Sequence, residues 1–476
     1  MSALLGAPFE SYGDAFSVSD AGLVRILDRV KLRERAIDGL VTAAVFEADP
    51  ARRNAVRWAI RALARESGIV PASIQSLYEA MGRGEVSGFT VPAVNIRGLT
   101  YDCTRAIFRA MGAGRVGPVL FEIAKSEIGY TEQRPDEYAV VILAAAIREG
   151  YAGPVFLQGD HFQINAKKFG ADPAGEVSAL KALAREAVEA GFYNIDIDAS
   201  TVVDLSKGTI EDQQFNNSHI TAEMTKFIRG LEPKGVTVSV GGEIGEVGGK
   251  NSTVEELSAF MDVYRRELGS GGIKGISKIS VQTGTSHGGV VLPDGTVAKV
   301  KLDFGTLESL SKAAREKYGL SGAVQHGAST LPDEAFGRFP ETGTSEVHLA
   351  TGFQNMIYEH PRFPAALKDK AYDWCRTNCA GERKQGETEE QFFYKARKKT
   401  FGPFKKEMWD LPGEIRDAIG ADLEAKFRFL FDKLRVVGTR DVVGRTVKPV
   451  AVPFSPPSGQ ATKGGGVAIG RDEPGE

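Results

Sequence analysis

The stretch that decides the fold reads PVFLQGDH (154–161), then EVSALKALAREAVEA (176–190), then YNIDIDAS (193–200). The first and third pieces begin with short apolar runs of β-favouring residues, which predict strands. The middle piece repeats Leu and Ala at helical spacing, so it predicts a helix. A helix between two such strands is typical of a parallel strand–helix–strand unit, and acidic residues follow both strands here.

The same alternation extends through most of the chain. Most of the predicted strands are followed by helical stretches such as LESLSKAAREKY (307–318). No G-x-G-x-x-G motif follows any strand, which disfavours the alternative of a doubly wound dinucleotide-binding sheet. Eight units predict an α/β fold, a (β/α)8 TIM barrel. The eight apolar runs are FTVPAVN (89–95), PVLFEI (118–123), PVFLQ (154–158), YNIDI (193–197), VTVSVGG (236–242), ISKISVQT (276–283), GAVQ (322–325) and SEVHL (345–349).

We expect helical additions at both ends of the barrel. The predicted parts are a helical N-terminal extension (1–72), the barrel (73–356), a helical C-terminal part of the barrel domain (357–445) and a flexible tail (446–476). The tail is rich in Gly and Pro, which predicts a disordered or loosely draped segment.

Two helices are predicted within the N-terminal extension. The first begins near Ser19-Asp20, which can act as its cap, and its apolar residues recur at helical spacing: Leu23, Ile26, Leu27 and Val30. The second covers 51–66. We expect its arginines to lie on a solvated face, with an acidic partner as the alternative; they are Arg52, Arg53, Arg57, Arg61 and Arg65.

The composition disfavours several classes of protein. The 476 residues carry a net charge of −3, which argues against nucleic-acid binding because affinity for phosphate backbones needs clustered excess Lys and Arg. No apolar run approaches the roughly 20 residues that span a bilayer. The N-terminus lacks the basic region of a signal peptide, and three cysteines do not make a disulfide framework. We therefore expect a cytoplasmic protein with reduced thiols.

Histidines and carboxylates fall at the predicted strand ends, where TIM barrels build their active sites. Their separations of about 40 residues place them on successive strand–helix units, so they converge on one rim. Imidazole and carboxylate ligands suit Zn²⁺ or a related divalent cation. We predict His161, His287 and His326 as metal ligands, with Glu243 and Asp198 as additional or alternative ligands.

Two glycine-rich loops lie beside these histidines. They are GTSHGG (284–289) and HGAST (326–330). Such loops expose backbone N–H groups that can bind a phosphate or another oxyanion, or they serve only the geometry of the turn.

Several motifs together resemble the class II, metal-dependent fructose-bisphosphate aldolases. The similarity extends from about Ile74 to about Val443 and follows the order of motifs in that family. It is carried by VPAVN (91–95), QGDH (158–161), DIDAS (196–200), GGEIGEVGGK (241–250), GTSHGG (284–289), KLDFGTLESL (301–310), QHGASTLPDEAF (325–336) and SEVHLATGFQ (345–354).

The resemblance implies a role for each candidate residue. The three histidines correspond to the catalytic metal ligands, and Glu243 and Asp198 to carboxylates that hold the metal in an alternative or second position. Asp160 corresponds to the acid–base aspartate. The substrate-side positions are Asn95, Gly288, Gly327, Ser329, His348 and Thr351.

The implied reaction is the reversible aldol cleavage of a ketose phosphate or bisphosphate, as in glycolysis and related carbohydrate metabolism. It gives dihydroxyacetone phosphate, or an analogue, and an aldehyde. The metal acts as a Lewis acid on the ketone, and Asp160 takes the proton of the C4 hydroxyl and returns it on condensation. The family also implies a homo-oligomer that binds a small sugar phosphate.

The chain departs from the family pattern around the substrate. An acidic mobile loop is replaced by KNST (250–253), with Glu255 and Glu256 as the nearest acids. His348 replaces an asparagine that contacts the donor, so it either donates to a substrate oxygen or fills buried volume. A metal-dependent aldol reaction is therefore better supported than fructose 1,6-bisphosphate as the substrate.

Three other functions are weighed against this one. The changed loop and the added helices motivate a non-catalytic aldolase-like subunit or chaperone of a sugar-phosphate pathway. Lys278, inside the sixth strand, would be the imine-forming residue of a metal-free aldolase, although a mid-strand lysine is more often an ion-pair partner. A metal-dependent hydrolase is disfavoured because the first strand lacks an H-x-H motif.

Overall fold

The computed structural model describes residues 11–19, 22–245, 250–284, 292, 302–328, 331–456 and 469–470. The strands within these ranges, numbered along the chain, are β1 Phe16–Val18, β2 Val24–Ile26, β3 Ile69–Pro71, β4 Val91–Asn95, β5 Leu120–Ala124, β6 Gly153–Gln163, β7 Asn194–Asp198, β8 Ser239–Glu243, β9 Lys278–Val281, β10 Ala323–Gln325 and β11 Glu346–Leu349.

Strands β4 to β11 form a closed parallel barrel. Each strand pairs with the next one along the chain, and β11 returns to pair with β4, where Glu346 lies opposite Val91. Every apolar run predicted to be a strand contributes one strand of this barrel. The prediction of a TIM barrel is therefore confirmed.

Helices surround the barrel and extend it at both ends. Within the described residues they are α1 Arg29–Lys31, α2 Ile37–Phe46, α3 Pro50–Glu66, α4 Gln75–Gly82, α5 Thr100–Gly114, α6 Lys125–Tyr130, α7 Pro135–Arg148, α8 Ala166–Ala171, α9 Pro173–Glu189, α10 Ile210–Arg229, α11 Val254–Leu268, α12 Phe304–Tyr318, α13 Arg338–Glu341, α14 Thr351–Tyr358, α15 Ala365–Asn378, α16 Glu389–Ala396, α17 Lys405–Trp409, α18 Gly413–Lys433 and α19 Arg440–Thr446.

The barrel strands are buried on both faces, because the helices cover their outer sides and the polar cluster described below fills the inside. Every residue of β4, β5, β7 and β8 is buried. Most apolar residues of the barrel and of the helices around it belong to one continuous hydrophobic core, and helices α15 and α16 contribute to a second, smaller cluster.

The N-terminal extension contains a hairpin where the sequence predicts a helix. β1 and β2 pair antiparallel, with Phe16 opposite Ile26. The helix predicted after Ser19-Asp20 is wrong because Leu23, Leu27 and Val30 are exposed and their spacing marks no buried face. The first helical turn begins only at α1, whose N-cap is Asp28.

Helix α3 confirms the second predicted helix, but two of its arginines do not face solvent. Arg57 pairs with Asp136 and Glu137 at 3.1 Å each. Arg61 is 5% exposed and lies 2.6 Å from Asp136 Oδ1. The prediction of a solvated face is therefore wrong for Arg57 and Arg61, because both side chains pair with acidic residues of helix α7.

A ninth parallel strand, β3, pairs with the beginning of β6 outside the barrel, with Ile69 opposite Gly153. The described part of the C-terminal tail packs nearby on α3. Trp58 Nε1 donates to the carbonyl oxygen of Phe454 at 3.1 Å, and the Arg61 guanidinium lies 4.3 Å from the Phe454 ring centre. The tail thus contacts α3 through Phe454, and the prediction of a flexible tail from 446 stays a prediction.

None of the helices in the described ranges is long and apolar enough to cross a membrane. The division of the chain into the four predicted parts stays a prediction.

Candidate active site

The described candidate residues gather at the carboxyl ends of the barrel strands. Asp160 and His161 lie on β6, Asp198 ends β7, and Glu243 ends β8. His326 follows β10 directly. Each of these side chains is at least 93% buried. Burial of so many ionisable groups is costly unless they are paired or bind a metal, so the cluster points to function.

Glu243 lies between two of the predicted histidine ligands. Its Oε2 is 3.3 Å from His161 Nδ1, and its Oε1 is 3.7 Å from His326 Nδ1. The two imidazole ring centres are 4.2 Å apart. One ligand atom from each of these three residues lies within 4.8 Å of the others, which fits the nitrogen and oxygen donor set of a zinc-type site.

Asp198 borders the same cluster, with Oδ2 3.3 Å from His161 Nδ1. Its carboxylate accepts hydrogen bonds from the Ser200 N–H and hydroxyl and from Gln163 Nε2. Burial alone would raise the pKa of Asp198, but these donors and His161 hold it below its usual value. Asp198 is therefore an ionised carboxylate aimed at the metal-ligand cluster.

A bulge in β6 directs His161 into this cluster. The register of β6 against β7 shifts between Gly159 and Phe162. His161 adopts a positive φ of 38°, which is strained for a residue with a side chain. A Cβ on Gly159 would lie 2.5 Å from the Phe162 ring, so the bulge needs glycine there. Bulges beside active sites commonly redirect one side chain, as this one does.

A second polar layer lies deeper in the barrel and is centred on Lys278. The Lys278 ammonium contacts Asp196 Oδ2 at 2.8 Å, Glu346 Oε1 at 2.6 Å and Gln158 Oε1 at 2.9 Å. Burial alone would lower the pKa of Lys278, but Asp196 and Glu346 raise it. Lys278 is therefore a protonated ion-pair partner, as the sequence favours, and not the neutral amine that imine chemistry needs.

His348 links the two layers. Its Nε2 hydrogen-bonds Glu346 Oε1 at 2.6 Å, while its Nδ1 lies 3.0 Å from Glu122 Oε2 and 3.3 Å from Asp160 Oδ1. The ring centre is 4.2 Å from that of His326. His348 thus faces the predicted acid–base aspartate and the metal-ligand cluster together.

The pKa values in this region diverge because like charges are crowded in a buried space. Burial raises the pKa of Glu122 to about 8 and that of Asp196 to about 6. Burial would also raise the pKa of Glu346, but Lys278 and His348 lower it to about 2. Burial opposes protonation of His348, whereas Glu122 and Asp160 raise its pKa well above the usual value. The buried carboxylates are therefore balanced in part by positive charge on His348 and Lys278.

The substrate-side candidates lie on the same rim where they are described. Asn95 Nδ2 donates to Glu127 at 2.6 Å, and Glu127 also pairs with Arg97 at 2.6 Å. Arg97 in turn reaches Thr351 Oγ1 at 3.4 Å. Gly327 has a φ of 67°, which suits a glycine in a tight loop after β10.

Three of the predicted site residues lie outside the described residues: His287, Gly288 and Ser329. Of the two nearest acids after the changed loop, Glu256 is already engaged. Its carboxylate accepts the Thr253 N–H at 2.8 Å in a capping box at the start of α11, and it contacts Lys250 Nζ at 3.0 Å. Glu255, the other acid, is exposed on the first turn of that helix.

Strand ends reveal only part of the deeper layer, because Glu122, Gln158 and Asp196 stand at or near the ends of predicted strands and the other members do not. Its members are Glu122, Gln158, Asp196, Lys278, Glu346 and Tyr78, and Tyr78 donates to Glu346. One signal was available in the sequence, because residues two apart on a strand share a face. Gln158 stands two residues before Asp160, and Glu346 two before His348, so polar residues repeat on the inner face.

Comparisons with known proteins agree with this architecture. A family model described as fructose-bisphosphate aldolase class-II matches residues 75–411. A probable tagatose 6-phosphate kinase from Sinorhizobium meliloti 1021 shares 18% identity and a TM-score of 0.51, over 76% of this chain and 95% of that chain. A fructose-bisphosphate aldolase from Campylobacter jejuni shares 17% identity and a TM-score of 0.46, over 78% of this chain and 96% of that chain.

No curated protein sequence matches the chain. The structural likeness to the Sinorhizobium meliloti protein supports the fold alone. The family model, in contrast, covers well over half of the chain and includes the strands that carry the described site residues. The chain therefore belongs to the class II fructose-bisphosphate aldolase family.

Proposed function

We propose that this protein catalyses the metal-dependent, reversible aldol cleavage of a ketose phosphate or bisphosphate. The products are dihydroxyacetone phosphate, or a close analogue, and an aldehyde. The observation that carries the proposal is the convergence of His161, Glu243 and His326 from three strands, with Asp160 beside them. Membership of an aldolase family whose members use a divalent cation and bind sugar phosphates supports it further.

The residues that would hold the cation are His161, His326, Glu243 and Asp198, with His287 from outside the described residues. Imidazole nitrogens and carboxylate oxygens suit Zn²⁺. When bound, the cation supplies Lewis-acid polarisation of the ketone carbonyl.

Asp160 would move the proton at the C4 hydroxyl oxygen of the substrate. Burial alone would raise the pKa of Asp160, but His161 and His348 hold it well below the usual range. The side chain is therefore a carboxylate that can accept a proton during cleavage and return it during condensation.

The remaining residues would bind and orient the sugar phosphate. Gly327, together with Gly288 and Ser329, would supply backbone and hydroxyl donors for a phosphate group. Asn95 and Thr351 would line the substrate side, where Glu127 and Arg97 hold their side chains in place. A cytoplasmic homo-oligomer acting in glycolysis or related carbohydrate metabolism remains the prediction that accompanies this function.

Asp160→Asn tests the proposal. The change removes the proton acceptor but leaves His161, Glu243 and His326 untouched, so we expect cleavage to fall about 10²–10⁴-fold. The variant should still bind at least one zinc per chain. A coupled assay for dihydroxyacetone phosphate, run with a panel of ketose phosphates, measures the rate.

Asp172→Asn is the matched control, because Asp172 caps α9 on the surface through the Gly175 N–H and asparagine caps equally well. It should cleave at the wild-type rate. Full turnover by Asp160→Asn would contradict the assigned role. A zinc-loaded wild-type protein that cleaves no ketose phosphate would favour the non-catalytic subunit instead.

A further inference from the structure

A cleft of about 440 Å³ lies on the face of the barrel opposite the candidate active site. Its lining includes residues that directly precede three barrel strands: Phe89 before β4, Ser321 before β10 and Gly343 before β11. These strands are neighbours in the parallel barrel, so the cleft is at their amino ends, whereas the candidate metal ligands lie at the carboxyl ends. A cavity of this volume can hold a small molecule. The cleft is therefore a separate place for a ligand.

We propose that this cleft binds a small organic phosphate, whose phosphate group contacts Lys312 and Arg315 of helix α12. The two residues are three positions apart on the helix, so they share one face, and both line the cleft. A phosphate monoester carries a charge of about −1.5 to −2 at neutral pH. Two cations side by side therefore suit a phosphate better than the single charge of a carboxylate.

Backbone carbonyl groups and two glycines fix Arg315 at the wall of the cleft. Its Nη1 donates to the carbonyl oxygen of Ser321 at 3.2 Å and to that of Gly343. A Cβ on Gly322 would lie 2.7 Å from Nη1, and one on Gly343 would lie 2.2 Å from Nη2, so glycine at both positions makes room for the guanidinium.

The other donors of Arg315 are left for a ligand. Nε and Nη2 make no hydrogen bond with any residue that the structure describes, since the two bonds of Nη1 are the ones that the side chain forms there. Guanidinium groups commonly bind phosphate through two such N–H donors at once. Arg315 therefore has both a fixed position and unused donors.

The charges around the cleft favour an anion. Neither Lys312 nor Arg315 forms an ion pair with a described residue, and Lys312 is exposed. Two carboxylates also line the cleft, but Glu341 is paired with Arg435 at 2.9 Å. Glu308 is the one carboxylate of the described lining without such a partner. Two cations thus face one carboxylate.

Arg315 also lacks a counter-charge on its buried side. The side chain is partly buried, and burial lowers the pKa of its guanidinium, an effect that the exposed Glu316 opposes. Arginine nevertheless stays protonated at neutral pH. Burial of a cation without a close carboxylate is unfavourable, so a bound phosphate would offset that cost.

The rest of the lining suits the carbon skeleton of an organic phosphate. Met81, Val86, Phe89 and Pro340 supply apolar surface, and the exposed Ser87 beside them supplies a hydroxyl group. Met81 and Phe89 are 5% and 6% exposed, so the apolar wall is formed by residues of the core. Inorganic phosphate alone would leave most of the cleft unfilled.

Calorimetric titration of the zinc-loaded protein with glycerol 3-phosphate measures this binding. We expect Lys312→Gln and Arg315→Gln each to weaken binding at the cleft by about tenfold or more, because each removes a charge-assisted contact. Lys317→Gln is the matched control, since Lys317 is exposed on the same helix and does not line the cleft. It should bind as wild type. Lys312 is exposed, so its variant decides the question even where Arg315→Gln fails to fold.

Diffraction from wild-type crystals soaked in glycerol 3-phosphate shows where the molecule binds. Density for it between Lys312 and Arg315 is the expected result. An empty cleft, binding at crystal concentration only, or wild-type affinity in Lys312→Gln overturns the inference. Binding in the cleft without cleavage of any ketose phosphate would contradict only the proposed function, whereas cleavage without binding in the cleft would contradict only this inference.

Discussion

At the scale of the residue, Lys278 holds together the deepest part of the barrel. Its side chain is 1% exposed, and its ammonium contacts Asp196 and Glu346 at 2.8 and 2.6 Å. Without it, both carboxylates would lose a buried cationic partner. The lysine therefore has a structural role beneath the site, and the candidate metal ligands and Asp160 lie above the layer that contains it.

Lys278→Met should destabilise the protein by about 3–5 kcal/mol, because it removes one partner of a buried ion pair and leaves two carboxylates uncompensated. Urea denaturation followed by circular dichroism measures the loss. Lys274→Met is the control, since Lys274 is 60% exposed and pairs with Glu79 at the surface. That change should cost less than about 1 kcal/mol. Equal stability of the two variants would contradict the structural role of Lys278.

Part of the candidate site could be predicted from sequence, and part could not. Asp160, His161, Glu243 and His326 stand at strand ends, and every parallel barrel brings such positions to one rim. The pairing of His348 with Glu122 and Asp160 could not be assigned, because it depends on the stagger of the strands around the barrel. Local patterns contain no information about that stagger.

At the scale of the element, helix α3 joins the N-terminal extension to the barrel. Arg61 Nη1 donates to the carbonyl oxygen of Ala190 at 2.9 Å, and Nη2 to Asp136 Oδ1 at 2.6 Å. Its guanidinium also stacks on Phe454 of the C-terminal tail. One side chain thus connects α3, α7, the end of α9 and the tail.

Arg61→Met should lower the free energy of unfolding by about 2 kcal/mol, because it removes charge-assisted hydrogen bonds from a buried guanidinium. Arg65→Met, on the exposed side of the same helix, should stay within about 0.5 kcal/mol of wild type. Chemical denaturation compares the two. Loss of stability in both variants alike would mean that the charge of α3, rather than the contacts of Arg61, is responsible.

The elements themselves differ in how far sequence predicts them. The barrel strands were predictable because a parallel strand that is buried on both faces appears in the sequence as a short, nearly continuous apolar run. The hairpin of β1 and β2 was not predictable. Leu23 and Leu27, on either side of β2, are exposed, but they are four residues apart and so indicate a helix in the sequence. β3 was not predictable either, because it is only three residues long and is identified as a strand by its pairing with β6.

At the scale of the whole molecule, folding of the barrel and binding of the proposed cation are expected to be thermodynamically linked. The folded chain assembles ligand atoms from several strands, and the unfolded chain has no such site. A ligand at one hundred times its Kd stabilises the folded state by about 2.7 kcal/mol. The melting temperature should therefore depend on the metal.

Differential scanning fluorimetry with and without excess Zn²⁺ measures this linkage. We expect EDTA-treated protein to melt a few degrees lower than zinc-loaded protein, with a smaller difference for Glu243→Gln. Glu189→Gln, at an exposed position of α9, is the control and should behave as wild type. An identical melting temperature in EDTA and in zinc would contradict the linkage.

The most direct test of the whole account is the release of dihydroxyacetone phosphate by metal-free and metal-restored protein. Ketose phosphates and bisphosphates are supplied to the wild-type protein as purified, after exhaustive chelation, and after Zn²⁺ is added back. We expect cleavage of at least one of these sugars, its loss to background on chelation, and its recovery with zinc. Cleavage that continues at full rate in metal-free protein would contradict metal-dependent catalysis.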